Sequence, residues 1–194
     1  MTVTDILALI GVGILSGTSN ALVGGGTLFS FPVLVALGIP PVTAVTTNMA
    51  ALLPGTMTSA YACLSELKRV RASLPLRVVA VLAGGLTGAG LLLLSGEALF
   101  AVLVPWLLAA GTILFTFSKQ IVRLVVRSRD AHLAKALPGM EFVCAIYGGY
   151  FGAGIGILMQ AAMALAGEQD MRSANSQRNF LVCFIQAKIG RAHV

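Results

Sequence analysis

Long apolar runs, each stopped by glycines or by a short charged stretch, leave this chain few folds. Residues 6–23 form the first run, Gly24, Gly25 and Gly26 interrupt it, and residues 27–38 resume it. Further runs cover 42–63, 78–94, 98–118 and 139–166. A hydrocarbon core about 30 Å thick takes about 20 residues of helix to cross. Only 10% of the residues are charged and 57% are hydrophobic, where soluble domains carry about a quarter charged. Mean hydropathy is +0.92. That surface cannot face water, three cysteines in 194 residues cannot staple a secreted scaffold, and the apolar content excludes disorder. The expected fold is all-α, a polytopic transmembrane helix bundle.

The formal net charge of +6 raises the question of a nucleic-acid partner, and its distribution answers no. Lys68, Arg69, Arg71 and Arg77 fall in the stretch 64–77, and Lys119, Arg123, Arg127, Arg129 and Lys135 in 119–137. Most of the basic residues thus lie in two inter-span loops, as the positive-inside rule places cytoplasmic loops. Two spans separate these loops, so both face one side, assigned as cytoplasmic. The second loop also suits an amphipathic surface helix. Residues Met1–Asp5 carry no basic residue, so the first run reads as an uncleaved membrane segment.

Residues 27–38, as helix, cover about 18 Å, too short for the core, so a broken or re-entrant helix is expected there. Ile39-Pro40-Pro41 marks a turn, Pro54-Gly55 a kink, and Ser95-Gly96-Glu97 a tight turn. The pattern recurs. Residues 146–167 again read apolar, glycine cluster (Gly148, Gly149, Gly152, Gly154, Gly156), apolar, then Gly167, as 13–38 do before Gly38. A polar helix start follows both, Thr43 to Asn48 and Ser173 to Asn179, at an offset of about 130 positions. Paired glycine-interrupted segments point to a transporter's binding site.

Two segments carry a family resemblance: Gly17-Thr18-Ser19-Asn20-Ala21-Leu22-Val23-Gly24-Gly25-Gly26-Thr27 through Phe31-Pro32-Val33-Leu34, and Tyr147-Gly148-Gly149-Tyr150-Phe151-Gly152-Ala153-Gly154-Ile155-Gly156 followed by Ala174-Asn175-Ser176-Gln177-Arg178-Asn179. Together they resemble the sulfite exporter TauE/SafE family, also called the 4-toluene sulfonate uptake permeases, over nearly all of 6–187. The resemblance implies a secondary transporter of small sulfur-containing anions (sulfite or organosulfonates) in the bacterial inner membrane. It also implies a duplicated fold whose repeats open with glycine-broken segments, and further helices after the Ala-Asn-x-x-Lys/Arg-Asn motif. The expected organisation is therefore a first repeat over 1–118, a basic cytoplasmic loop over 119–137 and an incomplete second repeat over 138–188. Residues 189–194, Ile-Gly-Arg-Ala-His-Val, resemble a sequencing-adapter read-through and read as a non-native tail; the alternative is a genuine short polar C-terminus.

The candidate substrate-binding residues are Asn20, Gly24, Gly25, Gly26, Thr47, Asn48, Gly152, Gly154, Asn175, Arg178 and Asn179. The glycine clusters expose backbone N–H groups at helix starts, suited to an anion, or let helices pack closely. Gly13/Gly17, Gly84/Gly88 and Gly148/Gly152 have the small-xxx-small spacing of such packing. Ser16, Thr18, Ser19 and Asn20 before the first break, and Thr43, Thr46, Thr47 and Asn48 after it, offer hydroxyls and amides to sulfonate oxygens, or serve as interhelical glue. Arg178, in an apolar helix, has the fork geometry for an oxyanion; the alternative is snorkelling to the interface. Glu141 reads as interfacial, with proton carriage the alternative. Cys63, Cys144 and Cys183 lack metal-ligand spacing, His132 reads as solvated, and no catalytic set is present, so neither an enzyme nor a cofactor is expected. The expected partners are a small anion and the lipid bilayer, with a homo-oligomer left open. The rival readings are a non-transporting membrane scaffold and an anion channel.

Overall fold

The computed structural model describes residues 2–22, 24–62, 67, 73–118, 120, 133–168 and 170–191. Every regular element among them is an α-helix: α1 (Val3–Leu22), α2 (Thr27–Ala36), α3 (Pro41–Ala62), α4 (Leu74–Thr116), α5 (Leu133–Tyr150), α6 (Ile155–Leu165) and α7 (Met171–Arg191). α4 is two arms, because Gly96 at φ 66°, ψ 171° leaves the helical region between them. The expected turn at Ser95-Gly96-Glu97 is thus a sharp bend that only glycine enters without strain. Glu97 at the bend accepts the Val42 N–H at 3.1 Å, placing a carboxylate on the positive end of α3.

α1 and α4 are the two described helices long and apolar enough to cross a membrane, and α2 and α6 are apolar but short. The outer face is unusually greasy: Leu94 is 86% and Trp106 75% exposed. Patches of this kind belong against an apolar solvent or a partner.

α4 and α5 form the most extensive helix pair, α3 packs on α7, and α1 and α2 pack on each other. Close backbone approach explains the first pair. A Cβ at Gly84 would lie 2.8 Å from Ala145 Cβ, one at Gly88 would strike the Ile146 carbonyl, and one at Gly149 the Gly85 carbonyl. Packing is therefore the role of Gly84/Gly88. Gly13/Gly17 differ: neither has a neighbour within 4 Å, so among the described residues that stripe packs against nothing. The interior between the pairs is aromatic. Phe31 of α2 meets Phe151 edge-on at 5.4 Å, and Phe100 meets Tyr150 at 5.6 Å.

Three corrections concern charge. The stretch 64–77 was expected to be loop, yet α4 begins at Leu74, behind Ser73 at its N-cap position and with proline in its first turn, so Arg77 is helical and only 2% exposed. Glu141, expected at an interface, is 0% exposed. The two are bonded to each other, and burial without that bond would be prohibitive. Lys135, placed in the second basic loop, belongs to α5. Lys68, Arg69, Arg71, Lys119, Arg123, Arg127, Arg129, His132 and Cys63 lie outside the described residues. The α7 backbone runs on through Arg191, past the point where the tail was expected to begin.

Candidate functional site

Both glycine clusters break a helix where expected. α1 ends at Leu22 and α2 begins at Thr27; α5 ends at Tyr150 and α6 begins at Ile155. Gly24, Gly152 and Gly154 sit at φ of 82°, 79° and 79°, a left-handed backbone that costs other L-residues about 1–2 kcal/mol. The far ends match too. Leu37, Gly38 and Ile39 N–H donate to Val33, Val35 and Leu34 carbonyls, and Ala166, Gly167 and Glu168 N–H donate to Ala162, Ala164 and Met163 carbonyls. Gly38 and Gly167 supply the positive φ this helix ending requires.

The two breaks touch. A Cβ at Gly24 would stand 2.6 Å from Gly156 Cα, 3.2 Å from Gly156 N and 3.3 Å from Arg178 Nη1. Gly156 lies in the first turn of α6, where backbone N–H groups have no acceptor within the helix. A Cβ at Gly26 would strike the Ser16 carbonyl and lie 2.8 Å from Asn20 Cβ, on the flank of α1. Gly25 is covered by the Phe115 ring, Gly152 by the Met49 methyl, and Gly154 has only Gly111 within 4 Å. Tyr147 OH donates to the Ala153 carbonyl at 2.8 Å and ties the second break to α5.

Arg178 reaches inward from α7 at 1% exposure, which overturns snorkelling. Its Nη2 donates to the Ala21 carbonyl at 3.1 Å and the Asn20 carbonyl at 3.4 Å, and Nη2 and Nε donate to Asn179 Oδ1 at 2.8 and 3.2 Å. Nη1 is buried with no partner. Asn179 thus orients the guanidinium, leaving one amino group turned toward Gly24. Among the described residues Arg178 donates to no carboxylate, only to carbonyls at the negative end of α1 and one amide oxygen.

The other expected residues divide. Asn48 is buried between Ser30, whose hydroxyl donates to its Oδ1, and Thr27, to which its Nδ2 donates at 3.0 Å. Asn20 Nδ2 donates to Thr56 Oγ1 at 2.9 Å. Thr47 and Thr18 are exposed and outside this cluster, and Thr46 bonds its own helix. Asn175 is half-buried with its Oδ1 unpartnered, as are buried Ser16 Oγ and Gln186 Oε1. Between Asn20, Thr27, Gly152 and Gln186 lies a void of about 10 Å³, the room of one water. Sequence reading had Gly156 in its second glycine cluster but not among the named binding residues, and it missed Thr56, Phe115 and Met49, which carry no local signal. Among the described residues no His/Cys/Asp/Glu group could hold a metal.

Residues 9–188 match the family Sulfite exporter TauE/SafE. The chain belongs to that family. It is similar to the "Probable membrane transporter protein" of Haemophilus influenzae (strain ATCC 51907 / DSM 11121 / KW20 / Rd), 27% identical over 159 residues. That likeness covers 81% of this chain and 62% of the relative, so the chain spans less than two thirds of that relative's length. No solved structure matches it.

Proposed function

We propose that this chain provides the substrate-binding part of a secondary transporter that moves small sulfur-containing oxyanions, sulfite or an organosulfonate, across the bacterial inner membrane. The observation that carries this reading is Arg178 Nη1, buried, unpartnered and 3.3 Å from the point a Gly24 Cβ would occupy. A guanidinium at mid-membrane costs about 2.5–3.5 kcal/mol even on lenient scales, and dipoles alone offset only part of it. A sulfite or sulfonate oxygen at that amino group, also facing the Gly156 N–H, would complete the compensation. A Cβ at Gly24 would already stand 2.6 Å from Gly156 Cα, so in this reading the two breaks part to admit the anion.

The reading includes a multi-pass bundle of two repeats. In it, α1–α2 and α5–α6 are corresponding glycine-broken pairs, supported by matching helix ends at Gly38 and Gly167. It also includes α2 folding back along α1, supported by Gly26 lying on Ser16. Transport would follow from one repeat rocking on the other. The test is sulfite binding to the detergent-purified chain by isothermal titration. The parent binds, Arg178→Gln does not, and Arg178→Lys retains a weakened signal. Equal binding by parent and Arg178→Gln overturns the assignment.

A further inference from the structure

A second polar assembly lies apart from the breaks. Arg77 on α4 forks onto Glu141 on α5, with Nε at 3.1 and 2.9 Å from its two oxygens and Nη2 at 2.5 Å from Oε1. Arg77 Nη1 donates to Gln177 Oε1 on α7 at 2.5 Å. Gln177 Nε2 continues to Glu168 Oε2 at 2.9 Å and Ser173 Oγ at 3.0 Å. Arg77, Glu141 and Gln177 are each at most 2% exposed. Glu141 thus takes the guanidinium directly and Glu168 joins it only through Gln177, while Asp170 and Arg172 at the start of α7 hold contacts of their own. Arg77, Gln177 and Glu168 also line a cavity of about 360 Å³ with Ser73 and Met163.

Cohesion does not explain this arrangement. Apolar side chains of similar volume hold helices together at least as well as a buried ion pair. The two differ in the open state. A parted apolar seam exposes greasy surface to water, whereas parted charges recover their hydration. An ion-paired seam is therefore specific when shut and inexpensive to open. The seam also grips the helix that carries Arg178. Gln177 and Arg178 are consecutive on α7, about 100° apart around it. One bonds to α4, the other to the α1 carbonyls.

We propose that the Arg77–Glu141–Gln177–Glu168 network is a charge-paired gate. It closes the inner wall of the cavity, and its opening lets α7 draw Arg178 away from α1. The link to α7 rests on Arg178 being the anion ligand; the gate itself does not.

The test places a thiol in the cavity wall beside the gate. Met163 is 0% exposed and lines the cavity. Met163→Cys is made in a chain with Cys63, Cys144 and Cys183 changed to Ser, and its reaction with a charged maleimide is timed in detergent. Glu141→Gln raises the rate by about tenfold or more by populating the open form, and the swap Arg77→Glu/Glu141→Arg brings it back. The apolar pair Arg77→Met/Glu141→Leu, confirmed folded by thermal unfolding, labels slowly and no longer responds to sulfite, whereas sulfite speeds the parent. An unchanged rate in Glu141→Gln, or a sulfite response surviving in the apolar pair, overturns the gate. If Glu141→Gln labels fast while sulfite neither binds nor acts on the parent, the anion reading fails and the gate stands. If sulfite binds but neither Glu141→Gln nor the swap alters the rate, the gate fails and the anion reading stands.

Discussion

Three glycines near the first glycine cluster separate two costs that usually arrive together. Gly24 has both a left-handed backbone, φ 82°, and a neighbour, since a Cβ would stand 2.6 Å from Gly156 Cα. Gly38 has the backbone alone, φ 86° with nothing within 4 Å, and Gly17 has neither. Alanine at Gly38 costs the left-handed strain, about 1–2 kcal/mol. Alanine at Gly24 adds overpacking of about 1–3 kcal/mol, at the high end because the obstacle is backbone and cannot swing aside. Alanine at Gly17 is neutral or stabilises by up to about 1 kcal/mol through helix propensity. The expected order is Gly24 far below Gly38, and Gly38 below Gly17, read as unfolding free energies from SDS titration in mixed micelles. The Gly24 methyl would also lie over Arg178 Nη1, so sulfite binding falls only in that variant. The reasoning is refuted if Gly24→Ala and Gly38→Ala agree within about 0.5 kcal/mol, the tolerance of such comparisons.

The same logic applies to α4: Gly88→Ala drives a methyl into the Ile146 carbonyl while Gly90→Ala meets nothing, so the first costs about 1–3 kcal/mol and the second none, by the same titration. Glu141→Ala leaves Arg77 buried and unpaired and destabilises by about 3–5 kcal/mol, whereas Arg77→Met/Glu141→Leu returns most of it; a thermal melt of both variants checks this. Asn48→Ala removes the side-chain donor to buried Thr27 and one of the two acceptors of Ser30, which keeps the Gly26 carbonyl, and costs about 1–3 kcal/mol, and Asn48→Asp, also measured by melting, does no better because it adds a charge.

Features legible in the sequence were those that a residue announces alone. A glycine cluster inside an apolar run has few uses besides a break, and 24–26 and 152–154 are breaks. An arginine inside an apolar helix demands a partner, and Arg178 has a set of oxygens. Spacing was weaker, because it records which residues share a face and not what covers it. Gly13/Gly17 and Gly84/Gly88 share one spacing, yet only the second pair touches another helix. Thr47 stood beside Asn48 in one polar cluster, but the helical turn sends it outward. The Arg77–Glu141 pair was hidden because its members lie 64 positions apart, and only tertiary packing joins them. One local signal was available: Ser73-Leu74-Pro75 is a helix start, which puts Arg77 inside α4 and so in need of an acceptor.

Arg178 carries a final consequence for stability. Its guanidinium, the start of α6 at Gly156 and the free Nη1 bring positive charge or donors to one buried point. Opposing them are the Asn20 and Ala21 carbonyls and the Asn179 amide oxygen. The buried charge costs about 2.5–3.5 kcal/mol and its unbonded Nη1 about 1–3 kcal/mol more, while bonds to a charged donor return about 1.5–3 kcal/mol each, so without an anion the residue is near balance. Arg178→Gln should therefore leave the anion-free chain as stable as the parent, or more stable by about 1 kcal/mol. Sulfite should raise the melting temperature of the parent alone. A loss above about 2 kcal/mol in anion-free Arg178→Gln would make the arginine a structural clamp, held by α1 and awaiting nothing.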